Sequence, residues 1–440
     1  MPSTPPTPRT GTLPFVVWVL AAGTSLMGTT EFVVAGLLPE IAADLDVSVS
    51  DAGLLITAFA LGMIVGSPTM AMATLRLPQR QTLVLALAVF SLGHVAAALS
   101  GSFTVVLVAR VITALATGAF WAVGMVIANA AAGPTAATRA TGLMIGGLTL
   151  ANVIGVPVGS FVGQYVGWRG PIWALAVLSA LAALFIGRFV PARERRQTVS
   201  LRAEFGALRQ GRLWLALSSA MLIMGGVMAT YTYITPLLTE RTGIPEGAVP
   251  LVLIAFGIGA LAGTTTGGRL GERRPMATTI TAAVATALVL LLMIPLSAHV
   301  VTVAALVLLM GWTGFTVNPV VTALAVRFAG DAPTLTSGLT TSAFNVGIAA
   351  GSAVAGMALD SAGPVGPPAV GAVIAACTVL PLGSLALHAR HRGSYVVAQR
   401  APVTKRLTQP HPGNGFARSL NGFVDAPCVG DASAERGCEH

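Results

Sequence analysis

Glu31 and Arg110 lie inside long apolar runs. With loops and the C-terminal tail set aside, they are the only acidic and the only basic residue so placed. An ion at the centre of a bilayer costs about 2.5–3.5 kcal/mol on insertion scales, so one that is kept there points to function. Burial raises a carboxyl's affinity for a proton and a nearby guanidinium lowers it, so alternating environments can load and unload an acidic side chain. These two residues therefore suggest proton carriage, with Glu31 as carrier and Arg110 as modulator. A static salt bridge between them is the plainer alternative. A proton crossing 100 mV releases about 2.3 kcal/mol, equivalent to a roughly 50-fold gradient of a neutral solute.

A second group of residues could hold that solute. Phe120, Trp121, Asn152, Tyr231, Tyr233, Asn318, Phe344 and Asn345 place aromatic faces and amides within apolar runs. A buried amide needs a partner, so each Asn either ties helices together or faces a cavity. With so few charges a neutral or weakly polar, amphiphilic substrate is expected rather than a polyanion. His94 is expected to form a helix-to-helix hydrogen bond. Cys377, Cys428 and Cys438 show no metal-ligand or disulfide spacing. Nucleotide-binding and hydrolase motifs are absent, and the GxG strings fall in apolar segments that read as helix packing. No enzyme activity, cofactor or metal is expected.

The elements that must position these residues are membrane helices. The chain has 440 residues, 54% of them hydrophobic and 9% charged, with a mean hydropathy of +0.81. A soluble domain carries about 25% charged residues, so the sequence reads as an all-α, polytopic membrane protein. A helix needs about 20 apolar residues to cross the hydrocarbon core. Twelve runs qualify: 15–38, 52–74, 81–99, 103–128, 139–163, 170–188, 213–238, 248–268, 276–297, 300–326, 334–359 and 367–388. They predict an N-terminal segment 1–14, a six-helix bundle 15–188, a linker 189–212, a second bundle 213–388 and a disordered tail 389–440. Glu31 lies seven residues from the end of span 1 and Arg110 seven from the start of span 4. At 1.5 Å per residue both sit roughly 10 Å below the same surface.

The net charge of +9 would suggest nucleic acid in a soluble protein; here its distribution gives a topology instead. Alternating the loops puts 22 of the 25 basic residues on one side, leaves Arg169 and Arg241 on the other, and keeps Arg110 within. By the positive-inside rule both termini and the linker are cytoplasmic. The halves also echo each other. RLPQR (76–80) follows span 2 and GGRLGERRP (267–275) follows span 8. Asn152, Gly155, Gly159 and Gly163 in span 5 parallel Asn345, Gly347 and Gly351 in span 11. Repeated six-helix halves with a site between them suit a transporter.

Three segments carry a resemblance: 29–68 (TTEFVVAGLLPEIAADLDVSVSDAGLLITAFALGMIVGSP), 109–124 (ARVITALATGAFWAVG) and 146–176 (GGLTLANVIGVPVGSFVGQYVGWRGPIWALA). Over roughly 15–388 the chain resembles the major facilitator superfamily, in particular the twelve-span drug:proton antiporters of the chloramphenicol-resistance and arabinose-efflux permease type. The resemblance implies two pseudo-symmetric six-helix bundles that alternate access to a central site. It implies that Arg110 matches the span 4 proton-relay arginine and Glu31 the span 1 acidic residue. Gly155, Pro157, Gly159 and Gly163 match the span 5 antiporter motif, which Gly146 and Gly147 extend. Arg76 and Arg80 match a cytoplasmic gating loop, whose second copy carries Glu272, Arg273 and Arg274. The chain departs from that pattern at Leu75 and Pro78, where the motif has Asp and Gly, and at Thr113, where span 4 usually has Gln.

The sequence thus predicts a monomeric, multi-pass transporter of the cell membrane. Its partners are a small-molecule substrate, protons and the lipid bilayer, with no nucleic acid. It is expected to export a drug or metabolite against proton entry. A sugar exporter is the alternative of the same class, and a non-transporting sensor or scaffold the alternative of another.

Overall fold

The computed structural model describes residues 13–73, 77–133, 136–190, 209–329 and 333–388. Most of the expected N-terminal segment, most of the linker, Arg76 and the tail lie outside these residues. Within them the chain is helical. Spans 1 to 4 are Phe15–Phe32, Val49–Ala73, Gln79–Leu99 and Phe103–Ala132. Span 5 is built from Ala137–Leu150, Ala151–Gly155 and Val156–Val166, and span 6 is Arg169–Phe189. Span 7 is Gly211–Thr232 extended through 234–241, followed by spans 8 to 11 at Val249–Arg273, Pro275–Leu296, Val300–Ala329 and Pro333–Ala362. Span 12 begins as Gly366–Cys377 and continues over 379–388.

Among the described residues eleven stretches are long and apolar enough to cross a membrane, and the last, Gly338–His388, has 51 residues. At 1.5 Å per residue that is about twice what one crossing needs. Gly363, at φ 68°, reverses the chain within it, so the stretch supplies spans 11 and 12. A positive φ of this kind is open to glycine at no steric cost. The molecule is accordingly all-α, with twelve transmembrane helices in two pseudo-symmetric six-helix halves. Large apolar side chains such as Leu85, Leu184, Val301 and Leu380 are exposed on the outside of the bundle, as expected where lipid replaces water as solvent.

Small residues set the packing register. Gly118 of span 4 meets the backbone of Gly66 in span 2, and Gly311 of span 10 meets that of Gly259 in span 8. Both members of the second pair lie 193 positions after their counterparts, so the two crossings are equivalent. In the same way Gly155 packs on Thr29 of span 1 and Gly351 on Gly225 of span 7, each 196 positions on. Between the halves, span 2 packs along span 11 and span 5 along span 8. Val190 and Arg209, which flank the linker, mark the linker end of the molecule, opposite its far end.

Candidate functional site

Arg110 is 6% exposed, and its guanidinium points from span 4 towards spans 1 and 2. Nη1 donates to the Thr30 carbonyl at 2.8 Å and to the Thr30 hydroxyl at 3.2 Å, and Nε donates to the Leu55 carbonyl at 3.3 Å. The Phe59 ring lies beneath the guanidinium, 4.4 Å from its centroid. The arginine is therefore held by carbonyls and a π face at the residue preceding Glu31. Among the described residues the only contact ion pair is Asp44 with Arg169; the Glu31 carboxylate neither touches Arg110 nor has a hydrogen-bond donor. The two charges still interact electrostatically. Of the two arrangements open to the sequence, the salt bridge is not formed in this conformation.

Thr30, Leu55 and Phe59 were not singled out from the sequence. Threonine, leucine and phenylalanine in apolar helices read as packing, and only their position against Arg110 gives them a role. His94 does link helices, with Nε2 2.7 Å from the Thr30 hydroxyl and Nδ1 2.7 Å from the Phe90 carbonyl.

Span 5 is broken where its motif lies. Pro157 has no amide hydrogen to give the carbonyl one turn earlier, and the preceding Ala151–Gly155 widens into a π turn before the α-helix resumes at Val156. Gly155, Gly159 and Gly163 form a ridge whose absent side chains make room for Thr29 of span 1 and for Val33 and Leu37 in the turn that follows it. Gly147 continues the ridge against the Ala21 carbonyl, whereas Gly146 faces open space. Span 1, which carries Glu31, is thus seated on span 5 along its length.

The aromatic and amide candidates separate into two sets. Phe120 is wholly buried against Gly23 inside the N-terminal half, where it is a packing residue in this conformation. Tyr231 is buried with its ring 4.2 Å from that of Phe256 and edge-on to Phe32 across the halves. Tyr233 is buried at the far end, with its hydroxyl donating to the Ser50 carbonyl at 3.4 Å. Trp121 and Phe344 are partly exposed. Asn152 and Asn345 donate through Nδ2 to the carbonyls of Leu148 and Thr341, at 3.3 and 2.9 Å. The Oδ1 atoms of Asn152, Asn318 and Asn345 are buried without a partner. An unsatisfied buried carbonyl costs about 1–3 kcal/mol, so these three oxygens are suited to accepting a donor. The Asn152 carbonyl also lies against Gly257 of span 8, placing that residue on the seam between halves.

Four side-chain hydrogen bonds cross the seam among the described residues. Three are at the far end: Thr235 to the Ala35 carbonyl (3.0 Å), Tyr233 to Ser50, and Gln164 Nε2 to the Glu246 carbonyl (2.6 Å). The fourth, Ser342 to the Ile64 carbonyl (2.9 Å), lies nearer the linker end. Glu40 sits at the same far-end seam, with Oε2 buried and unpartnered. Burial pushes its carboxyl above the usual carboxylate range, with a smaller push in the same direction from Glu246. At the linker end Glu272, Arg273 and Arg274 are exposed, and Arg80 is partly buried at the start of span 3. The described residues include no cluster that could hold a metal ion.

Comparison with known proteins agrees with this architecture. The sequence profile of the Major Facilitator Superfamily matches residues 20–352 and 217–420. The chloramphenicol resistance protein of Streptomyces lividans is 36% identical over 363 residues, covering 81% of this chain and 92% of that protein. The inner membrane transport protein YdhP of Escherichia coli (strain K12) is 32% identical over 82% of this chain and 93% of its own length. A protein named "Probable sugar efflux transporter" in Mannheimia succiniciproducens is 26% identical over 83% and 92%.

Proposed function

The chain belongs to the major facilitator superfamily and is a membrane transporter rather than an enzyme; from that premise we propose that it exports a small amphiphilic molecule in exchange for protons by alternating access. The observation that carries the proposal is the Glu31 carboxylate, unpaired and one residue from the peptide group that binds Arg110. A carboxylate held near a fixed cation but not locked to it can exchange its proton with whichever side has access. Loading occurs with the site open to the far side, and release with it open to the linker side.

The linker end is assigned to the cytoplasm from the basic residues gathered there. The far-end hydrogen bonds then close the site to the outside, and this conformation is the one that releases protons inward. Asn152, Asn318 and Asn345 are assigned as acceptors for the substrate, with Trp121, Tyr231 and Phe344 as its apolar walls. Gly155, Pro157, Gly159 and Gly163 let the span 1–span 5 seam bend and reseal. Arg80, Glu272, Arg273 and Arg274 act at the inner gate. The chain works as a monomer in the cell membrane.

Uptake of radiolabelled chloramphenicol into inverted vesicles, with and without an imposed pH gradient, tests the proposal. Wild type should accumulate the compound only with the gradient, and Glu31→Gln should abolish accumulation. Gradient-driven uptake unchanged in Glu31→Gln would remove Glu31 as the proton carrier. Accumulation of arabinose in place of chloramphenicol would favour the sugar reading that the Mannheimia relative's name supports.

A further inference from the structure

Arg110 needs more than packing to stay in place. Its Nη2 is buried without a partner, and beside the side chain is a cavity of about 20 Å³ bounded by Val34, Leu55, His94 and Thr113. That volume would hold about one water, which leaves the guanidinium room to turn. Its bonds to Thr30 and Leu55, together with the Phe59 face, therefore decide where the charge sits, and the Thr30 hydroxyl is the member of that set whose orientation can change.

The direction of those bonds is fixed by chemistry. The Phe90 carbonyl can only accept, so the His94 Nδ1 2.7 Å from it carries the proton and donates. In a neutral imidazole Nε2 is then bare and must accept, and the donor facing it at 2.7 Å is the Thr30 hydroxyl. With its hydrogen committed to His94, Thr30 Oγ1 presents lone pairs to Arg110 Nη1 at 3.2 Å. The result is a one-way chain from Arg110 in span 4 through Thr30 in span 1 to His94 and Phe90 in span 3. Thr30 is fully buried and His94 is 3% exposed, so bulk water does not compete for these groups. The imidazole is also held against the Phe90 ring, with centroids 4.2 Å apart.

We propose that His94 is a positioning residue for proton coupling: by accepting from Thr30 it orients the hydroxyl towards Arg110 and so holds the guanidinium beside Glu31. This inference rests on the assignment of Glu31 and Arg110 to coupling. It differs from simple helix bonding in requiring an acceptor at the Nε2 position rather than any link between spans 1 and 3.

Two amides separate the requirements. Gln at 94 reaches about as far as Nε2 and supplies an acceptor to Thr30; Asn at 94 is shorter and can replace only the Nδ1 donor to Phe90. Full-length protein in proteoliposomes would be assayed for pH-gradient-driven uptake of chloramphenicol and, separately, for gradient-independent chloramphenicol exchange. His94→Asn should lower gradient-driven uptake about tenfold, the equivalent of one lost buried hydrogen bond, and leave exchange within about twofold. His94→Gln should restore uptake to within about twofold of wild type. Thr30→Val should match His94→Asn, and the double variant should be no worse than Thr30→Val, because both break the same chain. Equal loss of uptake and exchange in both amide variants would make His94 a structural fastener and overturn the proposal. Wild-type behaviour of His94→Asn, with Glu31→Gln inactive, would overturn it while sparing the coupling assignment. Unchanged uptake in Glu31→Gln would remove the coupling assignment and this inference together.

Discussion

The two halves of the molecule share a packing register but not a chemistry. In the register set by Gly66–Gly118 and Gly259–Gly311, Arg110 of span 4 corresponds to Val303 of span 10. In the register set by Thr29–Gly155 and Gly225–Gly351, Glu31 of span 1 corresponds to Val227 of span 7. Both valines are buried, at 0% and 1% exposure. The same backbone thus accepts a valine at either position, and the charges of the N-terminal half are not demanded by the fold. Since each costs kilocalories in a membrane, an asymmetry of this kind is what the proposed coupling at Glu31 and Arg110 requires. The C-terminal half contributes amides and aromatic rings: Asn318, Asn345, Tyr231 and Phe344.

That division is broken most severely by removing the charge on one side and its apolar counterpart on the other. Arg110→Ala should reduce gradient-driven uptake about a hundredfold or more, because the guanidinium and its three bonds to spans 1 and 2 vanish together. Val303→Ala should change uptake less than about threefold and act on stability instead, costing on the order of 1–2 kcal/mol for the lost methyl groups. Vesicle uptake and thermal unfolding of the purified proteins measure the two effects. A comparable loss of coupling in both variants would end the claim that the halves are chemically specialised.

The next contrast concerns two glycines that seat the first helix of each half, one against backbone and one against a side chain. A side-chain atom added at Gly347 would strike the Met221 carbonyl, which is backbone and cannot turn away, so spans 7 and 11 must separate. The same atom at Gly159 would meet a methyl group of Val33, a side chain that can shift where a backbone carbonyl cannot. Gly347→Ala should therefore cost about 2–3 kcal/mol by overpacking, with poor folded yield. In Gly159→Ala the steric strain is largely offset by the roughly 1 kcal/mol gain in helix propensity, leaving stability nearly unchanged. Size-exclusion profiles and melting temperatures in detergent read the difference.

Much of this was legible in the sequence because the bilayer imposes coarse rules. About 20 apolar residues per crossing defined the twelve spans, and the expense of buried charge isolated Glu31 and Arg110. What could not be read was which face of a uniformly apolar helix looks inward. Phe120 and Trp121 are neighbours in span 4, yet Phe120 fills the core against Gly23 while Trp121 is partly exposed. The Arg110–Thr30–His94 chain joins residues 80 and 64 positions apart, and nothing local marks Thr30 as its middle member. Arg169 was read only as a loop charge, but it clasps Asp44 and the carbonyls of Ala98 and Ser100. Pro157 was read only as part of the span 5 motif, and the π turn over Ala151–Gly155 before it has no mark of its own among those residues.

A smaller test of the division uses the amides. Asn345→Ala removes an acceptor that is unpartnered in this conformation along with the Nδ2 donor to the Thr341 carbonyl, and the loss of the acceptor should be felt only when substrate is bound. The expected result is a KM for chloramphenicol raised about fivefold, roughly one hydrogen bond, with the dependence of uptake on the pH gradient unchanged. A loss of gradient dependence instead would move part of the coupling into the C-terminal half.

The smallest expected effect lies at the far-end seam, where the two halves meet through carboxyls. Glu40 takes its proton more readily in the folded protein than an ordinary carboxyl does, so protonation favours the folded form. Its stabilising contribution is fully present below the ordinary carboxylate range. It is lost as pH rises through the raised value, once a buried charge faces Glu246. Glu40→Gln mimics the protonated state at every pH. The variant should melt with wild type at low pH and a few degrees above it near neutrality, a shift of the size one mispaired carboxyl gives in a large protein. Equal melting temperatures across the range would mean that water reaches Glu40 and that the seam is looser than the three far-end hydrogen bonds imply.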